Sequence, residues 1–315
     1  MTQRILLGLL SLIFCLSAPA HDNGAWKSMK GDISLFVAND TGRNGYYDQK
    51  PIAALMGEMA DEIGPEAVLA VGDIHHFDGV GSVSDPLWMT NYELIYSHPE
   101  LMIPWLPVCG NHEYRGNTQA VIDYSAVSRR WEMPARYYSR TFTDKDGVSV
   151  KVVFIDTTPL IDKYRRESDE YPDAMRQDID AQLTWLDREL SESDADWTIV
   201  AGHHPIYADT SKSSEERTDL QKRVDPILRK HNVDMYVCGH IHNFQHIRPV
   251  GSSIDYIVNS AGALSRPKVN DVEGTIFKSG VTGFSVISAT KDSLHLYMID
   301  KDGNILHTVD RRKAL

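Results

Sequence analysis

Short apolar runs that end at once in a glycine and a knot of polar side chains recur five times in the first 245 residues of this chain. Runs at 33–38, 67–71, 103–108, 197–201 and 235–237 lead into Asn39-Asp40-Thr41-Gly42, Gly72-Asp73-Ile74-His75-His76, Gly110-Asn111-His112-Glu113, Gly202-His203-His204 and Gly239-His240-Ile241-His242. Apolar segments of this length between Gly, Asn and Asp predict buried strands, and a further run at 150–155 reads the same way. Helical patterns at 51–62, 173–190 and 216–231 lie between them, with Leu183, Leu186 and Leu190 at spacings of three and four, so strands and helices alternate as βαβ units. Beyond residue 250 the pattern changes to β runs at 256–259, 283–290, 293–299 and 305–309 with Lys291-Asp292 and Asp302-Gly303 turns, which predict mostly antiparallel sheet. A chain of 315 residues has room for two domains, but it shows no internal repeat, low-complexity tract or linker, and a single domain over 21–315 is expected.

In an open α/β sheet the carboxyl ends of the strands face one crevice. The five polar knots therefore converge in space, and they hold seven of the 13 histidines. Alone, a Gly-Asp pair is an ordinary turn, and a Gly-His-x-His segment is only a weak sign of paired ligands. Five such knots at strand ends, each with a glycine that lets backbone approach closely, point to a multi-ligand metal site.

Residues 1–20 carry Arg4, an apolar stretch over 5–16 and Ala18-Pro19-Ala20, the pattern of a cleaved signal peptide whose apolar stretch is too short to span a bilayer. A secreted or periplasmic protein beginning at His21 is expected, with no membrane attachment after signal removal. Cys15 would leave with the signal; Cys109 and Cys238, each directly before a motif glycine, are expected to be buried and unpaired. With 44 acidic against 32 basic residues the net charge is −12, which offers no field for a nucleic-acid backbone. An anionic substrate has to be met by charge gathered locally.

The ordered set Asp40, Gly72-Asp73, Gly110-Asn111-His112-Glu113, Ala201-Gly202-His203 and Gly239-His240-Ile241-His242 resembles the calcineurin-like metallophosphoesterases, a superfamily of dinuclear metal hydrolases. Gln182-Leu183-Thr184-Trp185-Leu186 ahead of Ala201-Gly202-His203-His204-Pro205, and Val237-Cys238-Gly239-His240 followed by Asn243, look like the small purple, or tartrate-resistant, acid phosphatases. The resemblance covers about residues 30–265. It implies an α/β fold, a four-layer α/β/β/α sandwich of two mixed sheets flanked by helices.

The same resemblance implies hydrolysis of phosphate monoesters of small molecules by attack of a metal-bound hydroxide, with two ions bridged by Asp73. One ion would take Asp40, Asp73, His242 and the residue at position 76, and the other Asp73, Asn111, His203 and His240. Two divalent ions would then dominate the local field whatever the net charge. His112, next to Asn111, is expected to act as general acid, and His204 to contact substrate. Glu113 either orients His112 or faces solvent, and His75 and His246 either support the ligands or are solvated.

Two departures matter. The purple acid phosphatase pattern Gly-Asp-x-x-Tyr carries a tyrosine that binds ferric iron and gives the colour, and here His76 stands in its place. A neutral imidazole in place of a phenolate favours divalent ions, so a colourless centre of Fe(II), Mn(II) or Zn(II) is expected. Many superfamily members also have Asp-x-His where this chain has Asp40-Thr41-Gly42, and His76 is expected to supply that imidazole. A phosphodiesterase or nucleotide pyrophosphatase would use the same ligands, and a non-catalytic phospho-ligand-binding protein would keep the fold with a degraded centre. Substrate choice is expected to lie in residues 79–102 and 157–172. Trp88, Tyr92 and Trp105 read as packing or as an aromatic pocket, 163–170 as solvated charge or a clamp, and Arg43 and Tyr46 as loop residues or phosphate contacts.

Overall fold

The computed structural model describes residues 23–313, and the expected signal peptide lies outside them. The strands are β1 (Ile33–Ala38), β2 (Ala67–Ala70), β3 (Trp105–Pro107), β4 (Tyr138–Thr143), β5 (Ser149–Phe154), β6 (Trp197–Ala201), β7 (Met235–Cys238), β8 (Phe244–Ile247), β9 (Asp255–Val258), β10 (Thr275–Ser279), β11 (Gly283–Ala289), β12 (Ser293–Asp300) and β13 (Ile305–Arg312). They form two mixed sheets, of order β13-β12-β11-β1-β2-β3 and β10-β8-β9-β7-β6-β5-β4. In the first, β1, β2 and β3 run parallel; in the second, β5, β6, β7 and β9 do. Every residue of β1, β2, β7, β9 and β11 is buried. Runs with no polar face can only occupy inner layers, with a second sheet on one side and helices on the other, and this makes the four-layer sandwich.

Helix Gln49–Ile63 buries Ile52, Met56, Met59 and Ile63 and stops at Gly64, whose left-handed φ of 66° lets its N–H reach Ala60 O. Helix Ile179–Ser191 starts later than its apolar pattern, because the Asp178 side chain caps it by accepting from Ala181 N at 2.9 Å. The helix expected over 216–231 is split into Ser214–Arg223 and Asp225–Lys230, since Pro226 has no N–H and is accommodated only in a first turn.

The C-terminal third is mostly antiparallel, as expected, with one exception. β9 joins the second sheet parallel to β7, while β11–β13 extend the first sheet through an antiparallel pairing of Ile33 with Ala289. β8 gave no apolar signal because its polar residues are satisfied internally: Gln245 donates to Asp209 O and His246 meets Asp255. From residues 79–102 Trp88, Tyr92 and Tyr96 pack inward, and no residue of the stretch lines the cavity over the strand ends. Trp88 stacks on Tyr124 with ring centres 3.5 Å apart, and Tyr92 meets Trp105 at 5.1 Å, so these aromatics are core. Cys109 and Cys238 are both free and buried.

Candidate metal centre

The five polar knots follow β1, β2, β3, β6 and β7, and backbone hydrogen bonds lace them together: Asp40 N to Gly72 O, Thr41 N to Asp73 O, and Gly239 N to His203 O. Asp40, Asp73, His240 and His242 have φ of 51°, 55°, 72° and 63°, four of the seven non-glycine residues with left-handed backbone among the described residues. Such conformations cost on the order of 1–3 kcal/mol each and persist where the surroundings fix them. Here they turn the chain sharply at the strand ends and aim the side chains into one crevice. Gly110 permits a close approach, since a Cβ there would lie 2.2 Å from Asp73 Oδ1.

Most of the candidate ligands have one anchored atom and one presented atom. Asp40 Oδ2 accepts from Asn39 Nδ2 at 2.6 Å and His240 N at 2.8 Å, which leaves Oδ1 buried without a hydrogen bond. Asp73 Oδ1 accepts from His112 N at 2.9 Å, while Oδ2 faces Nε2 of His203 at 3.1 Å, of His76 at 3.7 Å and of His112 at 3.9 Å. Nδ1 of His203 meets Val71 O at 2.9 Å and Nδ1 of His242 meets Leu264 O at 2.7 Å. A carbonyl only accepts, so both rings carry Nδ1–H and turn Nε2 toward a carboxylate, His242 reaching to 3.0 Å from Asp40 Oδ1. In neutral rings those are lone pairs facing lone pairs, which a shared cation relieves.

Asn111 Oδ1, His203 Nε2 and both ring nitrogens of His76 are likewise buried without a hydrogen-bond partner. Buried polar atoms are almost always paired, so this gathering of orphaned acceptors is the mark of a site built for cations. Ligand atoms of Asp40, His76 and His242 lie within 4.8 Å of one another, as do those of Asp40, Asp73 and His203. The residues fit the two-ion set, with His76 beside Asp40 and His242. His240 is engaged differently. Its Nε2 lies 3.0 Å from Glu216 Oε2 and its Nδ1 3.3 Å from Lys212 Nζ. An ammonium only donates, so Nδ1 is the lone-pair atom of this ring, here met by Lys212.

The charges follow from burial set against partners. Burial opposes ionisation of Asp40 and Asp73, yet His242 holds the first, and His203 the second, well below the usual carboxylate range. Burial also works against a proton on His203, but Asp73 outweighs it and lifts the ring to about 9. His76 and His240 are pushed down, chiefly by burial.

His204 does not meet the expectation of a substrate contact. It is fully buried, with Nδ1 2.8 Å from Thr157 Oγ1 and Nε2 3.0 Å from Tyr164 OH, so neither nitrogen is free. His75 is buried edge-on against Trp88 and kept neutral by that burial, which pushes it down to about 3. His246 pairs with Asp255 in the second sheet. Glu113 neither orients His112 nor faces solvent: its carboxylate accepts from Asp73 N and His75 N at 2.9 Å and from Gly110 N at 2.7 Å, clamping two knots together. Burial and then the Asp73 charge raise it to about 7. Gln182, from the acid phosphatase-like motif, pins the backbone of Asp156 at the end of β5 by accepting from its N–H and donating to its O. Above the centre opens a cavity of about 360 Å³ whose wall includes His112, Asn111, Lys163, Tyr164 and Lys212, so the 157–172 stretch does reach the site. Glu216, Lys212 and Tyr164 carried no sequence signal, because they lie in polar segments without apolar periodicity.

Two mixed sheets with acids, an amide and imidazoles converging at their strand ends define a metal-dependent phosphoesterase. The chain belongs to the calcineurin-like phosphoesterase family, whose pattern matches residues 33–244. Purple acid phosphatase 4 of Arabidopsis thaliana is 32% identical over 100% of this chain and 94% of its own length. Tartrate-resistant acid phosphatase type 5 of Oryctolagus cuniculus is 32% identical over 68% of this chain and 66% of its own length. Among solved structures, GAP50, the anchor in the inner membrane complex of Plasmodium, shares the fold with a TM-score of 0.77 at 22% identity, over 90% of this chain and 89% of that one.

Proposed function

We propose that this protein is an exported, colourless acid-phosphatase-like enzyme that hydrolyses phosphate monoesters of small molecules. Asp40, His76 and His242 would hold one ion, Asn111, His203 and the Nδ1 of His240 the other, and Asp73 would bridge them. When bound, two divalent ions lower the pKa of a water molecule and neutralise phosphoryl oxygens. His112 has its ring fixed by Nδ1–H donating to Phe77 O at 2.6 Å, so Nε2 is the atom turned to the site, and it carries a proton to give away in the imidazolium form. As the ester P–O bond breaks, that proton goes to the leaving oxygen; burial lowers the affinity of His112 for it, which favours release. Glu113 keeps Asp73 and Gly110 in register, and Glu216 orients His240.

The observation that carries this reading is the set of buried polar atoms without hydrogen-bond partners on Asp40, His76 and Asn111, gathered with Asp73 and His203 beneath an open cavity. The test is metal content together with turnover of a nitrophenyl monoester and its bis ester. Two ions per chain and faster monoester turnover, both lost in Asp73→Asn, are expected. Faster turnover of the bis ester would make the protein a diesterase, and less than one ion with no turnover would make it a binding protein. Export rests on the apolar stretch 5–16 and Ala18-Pro19-Ala20; among the described residues no helix is long and apolar enough to cross a membrane. An exported product whose N-terminus is His21 is the expected result.

A further inference from the structure

The cavity over the candidate ligands carries more positive charge than one phosphate requires. Arg43, Arg115, Lys163, Lys212 and Arg266 line it, in a protein of net charge −12. Two of them are matched by acids, Arg115 by Glu170 at 2.6 Å and Lys163 by Glu216 at 3.0 Å. The other three have no ion-pair partner among the described residues. Arg43 lies 4.6 Å over the Phe77 ring with Nε buried and unpaired, Lys212 meets the lone pair of His240 and is attracted by the nearby Glu216, and Arg266 is exposed at the mouth. Arg266 is close enough to repel both Arg43 and Lys212. On the reading proposed above, on which this inference rests, two divalent ions less the charges of Asp40, Asp73 and the attacking hydroxide leave about one positive charge, so a monoester dianion needs one further cation beside the ions. With Lys212 beside Glu216 serving that need, Arg43 and Arg266 remain without an acid of their own at the cavity.

The two arginines are also held in place. The Arg43 N–H donates to Gln49 Oε1 at 3.1 Å, Gly45 N to the same oxygen at 2.7 Å, and Asn44 N to Asn91 Oδ1 at 2.7 Å, so the loop is tied down on both sides. Arg266 N donates to His242 O at 2.7 Å, which couples its backbone directly to a candidate ligand. A guanidinium fork is suited to phosphate oxygens, and a fixed backbone lowers the cost of ordering it.

We propose that the natural substrates are small esters bearing a second phosphate, with one phosphate over the ligands and the other held by Arg43 and Arg266. The test compares fructose 1,6-bisphosphate with fructose 6-phosphate on the metal-loaded protein, in the wild type and in a double variant, Arg43→Gln with Arg266→Gln. In the wild type kcat/KM is expected to favour the bisphosphate by about tenfold or more, beyond the twofold that two ester groups give, and the preference is expected to weaken with added salt. In the double variant the preference falls to about twofold while the monophosphate value stays within about threefold. Equal wild-type values, or an unchanged preference in the double variant, would overturn the proposal and leave the phosphatase reading standing. If neither sugar is turned over, the phosphatase reading falls and the substrate assignment with it; calorimetric affinities then show whether the second phosphate site survives, a bisphosphate preference lost in the double variant keeping Arg43 and Arg266 as that site and no preference overturning it.

Discussion

Replacing Gly110 with alanine would put a methyl carbon 2.2 Å from Asp73 Oδ1, 2.7 Å from Asp73 N and 2.8 Å from Asp73 Cγ. Relief to ordinary contact demands a shift of roughly 1 Å, and no flexible side-chain end is available to provide it. The nearest atoms belong to a backbone pinned by Glu113 and to a carboxylate that accepts from His112 N and faces His203. Overpacking of this kind costs about 1–3 kcal/mol, and a misplacement of about 1 Å at the reacting groups costs about a hundredfold in rate. At roughly 2–4 °C per kcal/mol for a chain of this size, the melting point is expected to drop by about 2–12 °C. Thermal denaturation, metal analysis and ester hydrolysis on one preparation are expected to give a folded protein with under two ions per chain and at most about a hundredth of the activity. Gly147→Ala is the control, because a Cβ there meets nothing within 4 Å and its φ of 88° strains only a distant turn. It is expected to cost about 1 kcal/mol and no activity. A Gly110→Ala protein that keeps two ions and turns over within threefold of wild type would refute the reasoning.

Three further outcomes test other parts of the site. His112→Asn is expected to lower kcat by about 10²–10⁴ with metal content unchanged, whereas loss of an ion would make His112 a ligand instead. Glu113→Gln brings an amide N–H₂ against backbone donors and is expected to cost roughly 1–3 kcal/mol in urea denaturation and to speed metal loss on dialysis; an unchanged midpoint contradicts the clamp. Wild-type protein is expected to show no visible band, and His76→Tyr loaded with ferric iron to gain one, since a phenolate then replaces an imidazole beside Asp40 and His242. A coloured wild type, or a colourless ferric variant, would refute the account of position 76.

The candidate ligands were legible because each stands at the end of an apolar run whose length and lack of a polar face mark a buried strand, and strand ends converge. Asp40, Asp73, His76, Asn111, His203, His240 and His242 follow that logic. His204 does not, because the residue after His203 turns to the other side of the chain, into Thr157 and Tyr164, and sequence adjacency cannot show which side faces the crevice. Glu113 was visible as a motif acid, but its partners are backbone N–H groups of the second and third knots, which no side-chain pattern encodes. Lys212 and Glu216 lie in or beside a helix with little apolar periodicity and reach the centre only through tertiary placement. The aromatic stretch 79–102 looked like a loop because its two helical segments, Trp88–Glu93 and Pro99–Leu101, are too short to show a period. Two local signals in the helices were overlooked: Asp178, which caps one and sets its start, and Pro226, which splits the last.

The most direct test of the dinuclear centre is calorimetric titration of metal-free protein with Mn(II) or Zn(II) at pH 8, in buffers of different ionisation enthalpy. Without metal, Asp73 holds His203 protonated up to about pH 9, so an ion that takes Nε2 must expel that proton. The account predicts two ions per chain with net proton release, and in Asp73→Asn a loss of at least one ion together with the His203 proton. A single ion, or two ions bound without proton release and unaffected by Asp73→Asn, would contradict it.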